Sequence, residues 1–207
     1  MTIHLHEGDL PRGVDLGPVI AVDTETMGLN TARDRLCLVQ MTGGDGDDAH
    51  LVRLPLQERP YTAPNLARLL GDPNRLKIFH FARFDMAALK YWMDMDCGPV
   101  YCTKIASRIA RTYTDRHGLA DLCREILGLD LSKQQQSSDW GSESLTEAQL
   151  TYAASDVLHL HALKDRLDEI LVREGRTALA QACFDFLPHR MALDLAGFGQ
   201  GDDIFQH

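Results

Sequence analysis

The sequence predicts an α/β domain built on one mixed β-sheet, and three observations carry that expectation. Short apolar, strand-like runs fill the first half of the chain, at residues 19–24, 36–41 and 49–52. Helical periodicity fills the second half, where apolar residues recur every three or four positions. A length of 207 residues with 44% hydrophobic content suits one domain with a full core. Strands first and helices afterwards place the helices against a sheet.

In chain order, residues 1–18 are polar, carry Pro11, Gly13, Gly17 and Pro18, and read as an N-terminal arm or loop with at most a short turn. The opening strand, Val19-Ile20-Ala21-Val22-Asp23-Thr24, leads into Gly28-Leu29-Asn30 and a second strand over 36–41. Gly43-Gly44-Asp45-Gly46-Asp47-Asp48 is a turn that returns a third strand at 49–52, an antiparallel meander. The acidic turn lacks the ligand spacing of an EF-hand and reads as a solvated hairpin.

Leu66, Leu69 and Leu70 predict a helix over 65–70, stopped by Gly71-Asp72-Pro73. Residues 77–80 read as a buried strand, 84–92 as a helix burying Ala87, Ala88 and Tyr91, and Val100-Tyr101 as a fifth strand. Helices follow over 103–111 and 118–127, the second stopped by Gly128, and 132–144 is a polar loop. Thr146 and Gln149 form a capping box that opens the longest helix. Its apolar stripe runs through Leu150, Ala153, Val157, Leu160, Leu163, Leu167 and Leu171 to a stop at Gly175. A last helix over 176–187 ends before Pro188. The domain is expected over 19–175, with 176–207 a C-terminal helix and tail that join it or serve a subunit contact.

The balance of 21 basic and 30 acidic residues, net −9, disfavours a broad basic footprint for long nucleic acid. A small anionic ligand, locally complemented, is compatible with it. Five cysteines without a CxxC pair argue against a disulfide framework or a zinc site. No apolar run approaches the roughly 20 residues of a membrane helix, and residues 1–9 lack a signal-peptide pattern, so a cytoplasmic protein is expected.

Asp23 and Glu25 lie two apart at a strand end, which puts both carboxylates on one face. Like charges side by side repel, and a divalent metal between them relieves the repulsion; a strand ending in a polar turn is the plainer reading. Asp85 opens a helix, where the N-terminus favours an anion. Tyr152 and Asp156 stand four apart, one helical turn. Four carboxylates and a tyrosine at the edges of apolar elements match a two-metal phosphoryl-transfer site holding Mg²⁺ or Mn²⁺.

Asp23-Thr24-Glu25, His80-Phe81-Ala82-Arg83-Phe84-Asp85 and Tyr152-Ala153-Ala154-Ser155-Asp156 resemble, in order and spacing, the three motifs of the DEDDy 3′–5′ exonucleases. The residues Leu36-Cys37-Leu38-Val39-Gln40, and Ser137-Ser138-Asp139-Trp140 with Leu145-Thr146 and Gln149, resemble the ribonuclease D branch. Ribonuclease D carries C-terminal helical RNA-binding domains for which this chain has no room. Its compact length and its opening, Ile3 to Pro11, are similar to the short nanoRNase C family. The resemblance implies a ribonuclease H-like, DnaQ-like exonuclease fold.

It further implies that Asp23, Glu25, Asp85 and Asp156 hold two divalent metal ions, and that Tyr152 orients the attacking water or the scissile phosphate. The expected substrate is short RNA, dinucleotides above all, cut to nucleoside 5′-monophosphates by a homo-oligomer, an octameric ring. Around the acidic set, Thr24, Thr26, Gly28, Leu29, His80 and Phe81 are candidate substrate contacts, and Lys133, Gln136, Ser137 and Ser138 a candidate cap for the 5′-phosphate. Leu29 reads either as a wedge between two bases or as a loop leucine filling a core edge. His80 reads either as a pocket residue or as a core histidine. Arg108, Arg111, Arg116 and His117 form one basic patch in an acidic chain, which reads at least as well as a solvated face or subunit contact. A general RNA-trimming exonuclease and a catalytically silent nucleic-acid-binding module are the alternatives.

Overall fold

The computed structural model describes residues 2–44, 46, 48–132, 134–198 and 204. Among the described residues six strands form one mixed sheet: β1 (Ile3–Glu7), β2 (Val19–Thr26), β3 (Leu36–Thr42), β4 (Ala49–Arg53), β5 (Leu76–Phe79) and β6 (Val100–Cys102), in the order β1-β4-β3-β2-β5-β6. The pairs β2–β3 and β3–β4 are antiparallel, as the meander predicts, and β2–β5 and β5–β6 are parallel. The helices are α1 (Pro64–Leu70), α2 (Ala82–Met93), α3 (Thr103–Ala110), α4 (Leu119–Leu122) with a π-helical turn over Cys123–Leu127, α5 (Glu147–Leu158), α6 (Leu160–Arg173) and α7 (Thr177–Leu193). A second π-helical turn, Asp194–Phe198, follows α7.

Alternation along the strands divides the core between the two faces of the sheet. Leu38 and Leu51 pack with Ala153 and Ala154 of α5 on one side. Ile20, Val22, Val39 and Met41 join α1 and α2 in the larger cluster on the other. The fully buried Lys77 of β5 turns its ammonium to the backbone carbonyls of Asp72, Arg75 and Gly98 at 2.8, 2.6 and 2.6 Å. Three charge-assisted bonds replace its hydration shell.

Three elements differ from expectation. The segment read as an arm contributes β1, an edge strand running parallel to β4. It is fastened by polar contacts: Asp48 accepts from the backbone N–H of Thr2 at 2.8 Å and bonds His4 at 2.8 Å, and the rings of His4 and His6 stack on His50. The helix expected from Thr146 to Gly175 is two helices that meet at His159, whose φ of −108° and ψ of 1° break the α geometry. The capping box itself is formed, and Gly175 stops α6 at positive φ. The last helix runs through Pro188 to Leu193 because Phe184, Leu187 and Met191 carry its buried stripe across the proline. Arg83 and Arg190 both pair with Asp194 just beyond its end. Packing outweighs the roughly 3 kcal/mol that an interior proline costs.

Helix α7 packs on α2, α3 and β6. The five cysteines are free. Among the described residues no helix is long and apolar enough to cross a membrane.

Candidate active site

The site forms where β2 reaches the edge of the sheet. Asp23 and Glu25 alternate onto the face covered by α5, and α5 brings Asp156 over them. One carboxylate oxygen from each of these three residues lies within 4.8 Å of the others. Thr24, between them, points to the opposite face, where its hydroxyl donates to Asp85 Oδ1 at 2.7 Å. Asp85 is only 3% exposed and sits in the first turn of α2, where free backbone N–H groups favour an anion. Tyr152, one turn before Asp156, donates its hydroxyl to that carboxylate. On β3, Gln40 lies opposite Asp23 in register, and its Nε2 donates to Asp23 Oδ2 at 2.8 Å. Each of these partners is neutral.

Electrostatics make this cluster costly. Burial, followed by the charges of Asp85, Asp156 and Glu25, pushes Asp23 well above the ordinary carboxylate range. Burial, followed by the charges of Asp156 and Asp85, pushes Glu25 up to about 9. Burial is also the largest cause that moves Asp85 and Asp156 up to about 7, against the hydrogen bonds from Thr24 and Tyr152. Burial and the surrounding carboxylates push the Tyr152 phenol above its usual range, so it is a proton donor at neutral pH. A divalent cation offsets both the burial and the mutual repulsion. The carboxylate oxygens of Asp23 and Glu25 from β2 and of Asp156 from α5 face one another, with Asp85 of α2 outside that group of three, and an all-oxygen donor set fits Mg²⁺ or Mn²⁺.

The other expected residues are placed as follows. Thr26 donates to the carbonyl of Gly28 at 2.5 Å and closes the turn after β2. The loop beyond is tied down by Asp34, which accepts from the N–H of Asn30 at 2.9 Å, and by Trp92, which donates to the carbonyl of Thr31 at 2.9 Å. Leu29 stands out of that fixed loop with 82% of its surface exposed, so it does not fill a core edge. His80 is half-buried: Nδ1 meets Thr103 Oγ1 at 2.9 Å, the ring bonds the carbonyl of His117, and burial pushes its pKa down to about 3. Phe81 is 46% exposed and carries the Lys104 ammonium 4.3 Å from its ring centroid.

Gln136 and Ser137 are exposed, and Ser138 donates to Gln135 Oε1 at 2.6 Å. Lys133 lies outside the described residues, as do Asp45 and Asp47 of the acidic turn. The basic patch dissolves into packing at its centre. Arg111 is 1% exposed, pairs with Glu125 and holds the carbonyl of Arg116 at 3.2 Å, while His117 bonds Ser107 at 2.8 Å.

Two residues outside the expected set touch the site. Gln40 shows in the sequence as a lone amide in an apolar strand, and only the register reveals that it faces Asp23. Trp140 is buried with its ring 6.1 Å from that of Tyr152 and anchors the 132–144 loop against α5.

A family described as 3′–5′ exonuclease matches residues 10–172 of the chain. The chain belongs to this 3′–5′ exonuclease family. The exonuclease is 52% identical to Brucella melitensis NrnC in a structure bound to pGG, with a TM-score of 0.94 over 100% of this chain and 99% of that one. It is 51% identical to the same protein with bound Mg²⁺, at a TM-score of 0.93 and complete coverage of both chains. It is also 36% identical over 159 residues to ribonuclease D of Gluconacetobacter diazotrophicus. That match takes in 77% of this chain and 39% of the relative, so the exonuclease spans about two fifths of that protein's length. These matches bear out the resemblance to DEDDy exonucleases of the ribonuclease D type, and to nanoRNase C among them.

Proposed function

We propose that this exonuclease is a divalent-metal-dependent 3′–5′ exoribonuclease that hydrolyses very short RNA, diribonucleotides above all, to nucleoside 5′-monophosphates. The observation that carries the reading is the convergence of Asp23, Glu25 and Asp156, from motifs spread over more than half the chain, into one half-buried acidic cluster, with the buried Asp85 close enough to raise the pKa of Asp23 and Glu25. The cations those residues would hold supply positive charge to the phosphate and lower the pKa of the attacking water. Asp23, Glu25, Asp85 and Asp156 set the positions of that charge. Tyr152 spends its one phenolic proton on Asp156 in the free protein; its oxygen orients the water, or the proton, turned from Asp156, orients the scissile phosphate, and in neither case does the phenol act as the base. Hydrolysis forms a new P–O bond to the water oxygen and breaks the P–O3′ bond, and the 3′-oxygen leaves with a proton.

Three observations support the short substrate. NrnC, half identical to this chain, has been seen with pGG. The net charge of −9 suits a small ligand better than a long polyanion. Leu29 is exposed on a braced loop that follows β2, which supports its reading as a wedge between two bases, and Phe81 offers an exposed ring. Gln136, Ser137 and Ser138, together with Lys133, are assigned to the 5′-phosphate, and a closed cap there would exclude longer chains. The enzyme is inferred to work in the cytoplasm as a homo-oligomer, an octameric ring. The apolar Leu179 and Phe186 on the outer surface of α7 suit self-association.

The test is a time course with Mg²⁺ or Mn²⁺ on 5′-labelled RNAs of two to twenty nucleotides. Dinucleotides cleaved at least tenfold faster than a 20-mer support the reading. Equal rates across lengths overturn the specialisation and favour a trimming exonuclease of the ribonuclease D kind, while no cleavage with either ion overturns the activity.

A further inference from the structure

Gln40 is placed where folding alone does not call for it. It lies in β3, whose seven residues are all buried, and is itself 0% exposed. Its Oε1 is buried without a hydrogen-bond partner among the described residues. An unsatisfied acceptor in the core costs stability, and a leucine or methionine at the same position would remove that cost. The strand tolerates an amide at the one position whose antiparallel partner is Asp23.

The chemistry of the contact fixes its direction. Against the ionised carboxylate that a cation requires, only the amide nitrogen is attractive; turned the other way, Oε1 would face Asp23 Oδ2 and repel it. The bond at 2.8 Å therefore ties Oδ2, sets the plane of the carboxylate, and leaves Oδ1 without that partner. A lysine or arginine would tie Asp23 more strongly but would also cancel charge in the cluster. A neutral amide orients the ligand and leaves its negative charge intact. Tying one oxygen of Asp23 also reduces the number of rotamers that must be lost when a cation binds.

We propose that Gln40 is a positioning residue that aims the Asp23 carboxylate at a divalent cation shared with Glu25 and Asp156. The proposal rests on the divalent-metal reading of the site. It assigns Gln40 no contact with substrate and no proton to transfer.

The experiment compares wild type with Gln40→Leu, and with Gln40→Met, which keeps the side-chain length if the first variant fails to fold. Three quantities are measured: the melting temperature in EDTA, Mn²⁺ affinity by titration calorimetry, and kcat against KM on a dinucleotide. The expected result is an EDTA melt equal to or above wild type, Mn²⁺ binding weakened about 10- to 100-fold, and a fall in kcat with KM little changed. Mn²⁺ affinity within about twofold of wild type would overturn the proposal. So would an EDTA melt lowered by more than about 5 °C together with weaker binding, because that pattern belongs to a residue that merely holds the fold. Wild type that fails to bind Mn²⁺ would instead strike down the metal reading, and the proposal with it.

Discussion

Replacing Asp156 by asparagine should stabilise the metal-free protein at alkaline pH while removing its response to divalent cations. In the folded chain the Asp156 carboxyl is moved from its ordinary 3.8 up to about 7, chiefly by burial. A carboxyl raised in this way binds its proton more tightly in the folded than in the unfolded state. The stability it contributes is fully present below 3.8 and is lost as pH rises through about 7. One pH unit corresponds to 1.36 kcal/mol, so the loss amounts to about 4 kcal/mol by pH 8. Asparagine does not ionise and still accepts from Tyr152, though its buried amide costs about 1–2 kcal/mol. The net gain in EDTA at pH 8 is about 2 kcal/mol, or roughly 4–8 °C in melting temperature for a chain of this size. At pH 4 the advantage disappears.

The assay is a set of thermal melts of both proteins from pH 4 to 9 in EDTA, repeated with 10 mM Mg²⁺. Wild type should gain about 2.7 kcal/mol if that concentration is a hundredfold above its dissociation constant. The variant should gain little. A variant that melts below wild type at pH 8 in EDTA, or that gains as much from Mg²⁺, would refute the reasoning.

Further outcomes follow from the same geometry. Glu25, Asp85 and Asp156 hold protons near neutrality, so Mn²⁺ binding at pH 7 should release at least about one proton and tighten from pH 6 to 8. Calorimetry in two buffers of different ionisation enthalpy measures this, and a pH-independent affinity would contradict it. Leu29→Ala should lower kcat/KM on a dinucleotide about 10- to 100-fold, the worth of one buried leucine side chain, with the melting temperature unchanged because the residue is exposed in the free protein. Unaltered dinucleotide kinetics would remove the wedge. Lys77→Met takes the ammonium donor from the carbonyls of Arg75 and Gly98, while that of Asp72 keeps the N–H of Arg75, and should cost about 2 kcal/mol, roughly 4–8 °C in a thermal melt, while kcat at 20 °C stays as in wild type.

The sheet and the acidic set were legible in the sequence because both rest on spacing. Alternation in β2 placed Asp23 and Glu25 on one face, and the helical interval of four placed Tyr152 against Asp156. Asp85 announced itself by following an apolar strand at a helix start. What escaped depends on register or on packing between distant segments. Ile3–Glu7 carries three polar residues in five and is fixed by Asp48 and His50, so it shows no core pattern of its own. The kink at His159 leaves the leucine stripe in phase on both sides, and a stripe cannot report a one-residue break. Pro188 reads as a stop by its local chemistry, and the buried Phe184, Leu187 and Met191 override it. Thr24 is spent on Asp85 and His80 on Thr103, pairings that join positions far apart in the chain. Gln40 needed the β2–β3 register before its partner was visible.

The most direct test of the acidic cluster is anomalous diffraction from crystals soaked in Mn²⁺. The account predicts Mn²⁺ density enclosed by Asp23, Glu25 and Asp156, with Asp85 among the ligands once a dinucleotide is bound. Clear density for the four carboxylates with no Mn²⁺ among them would contradict it.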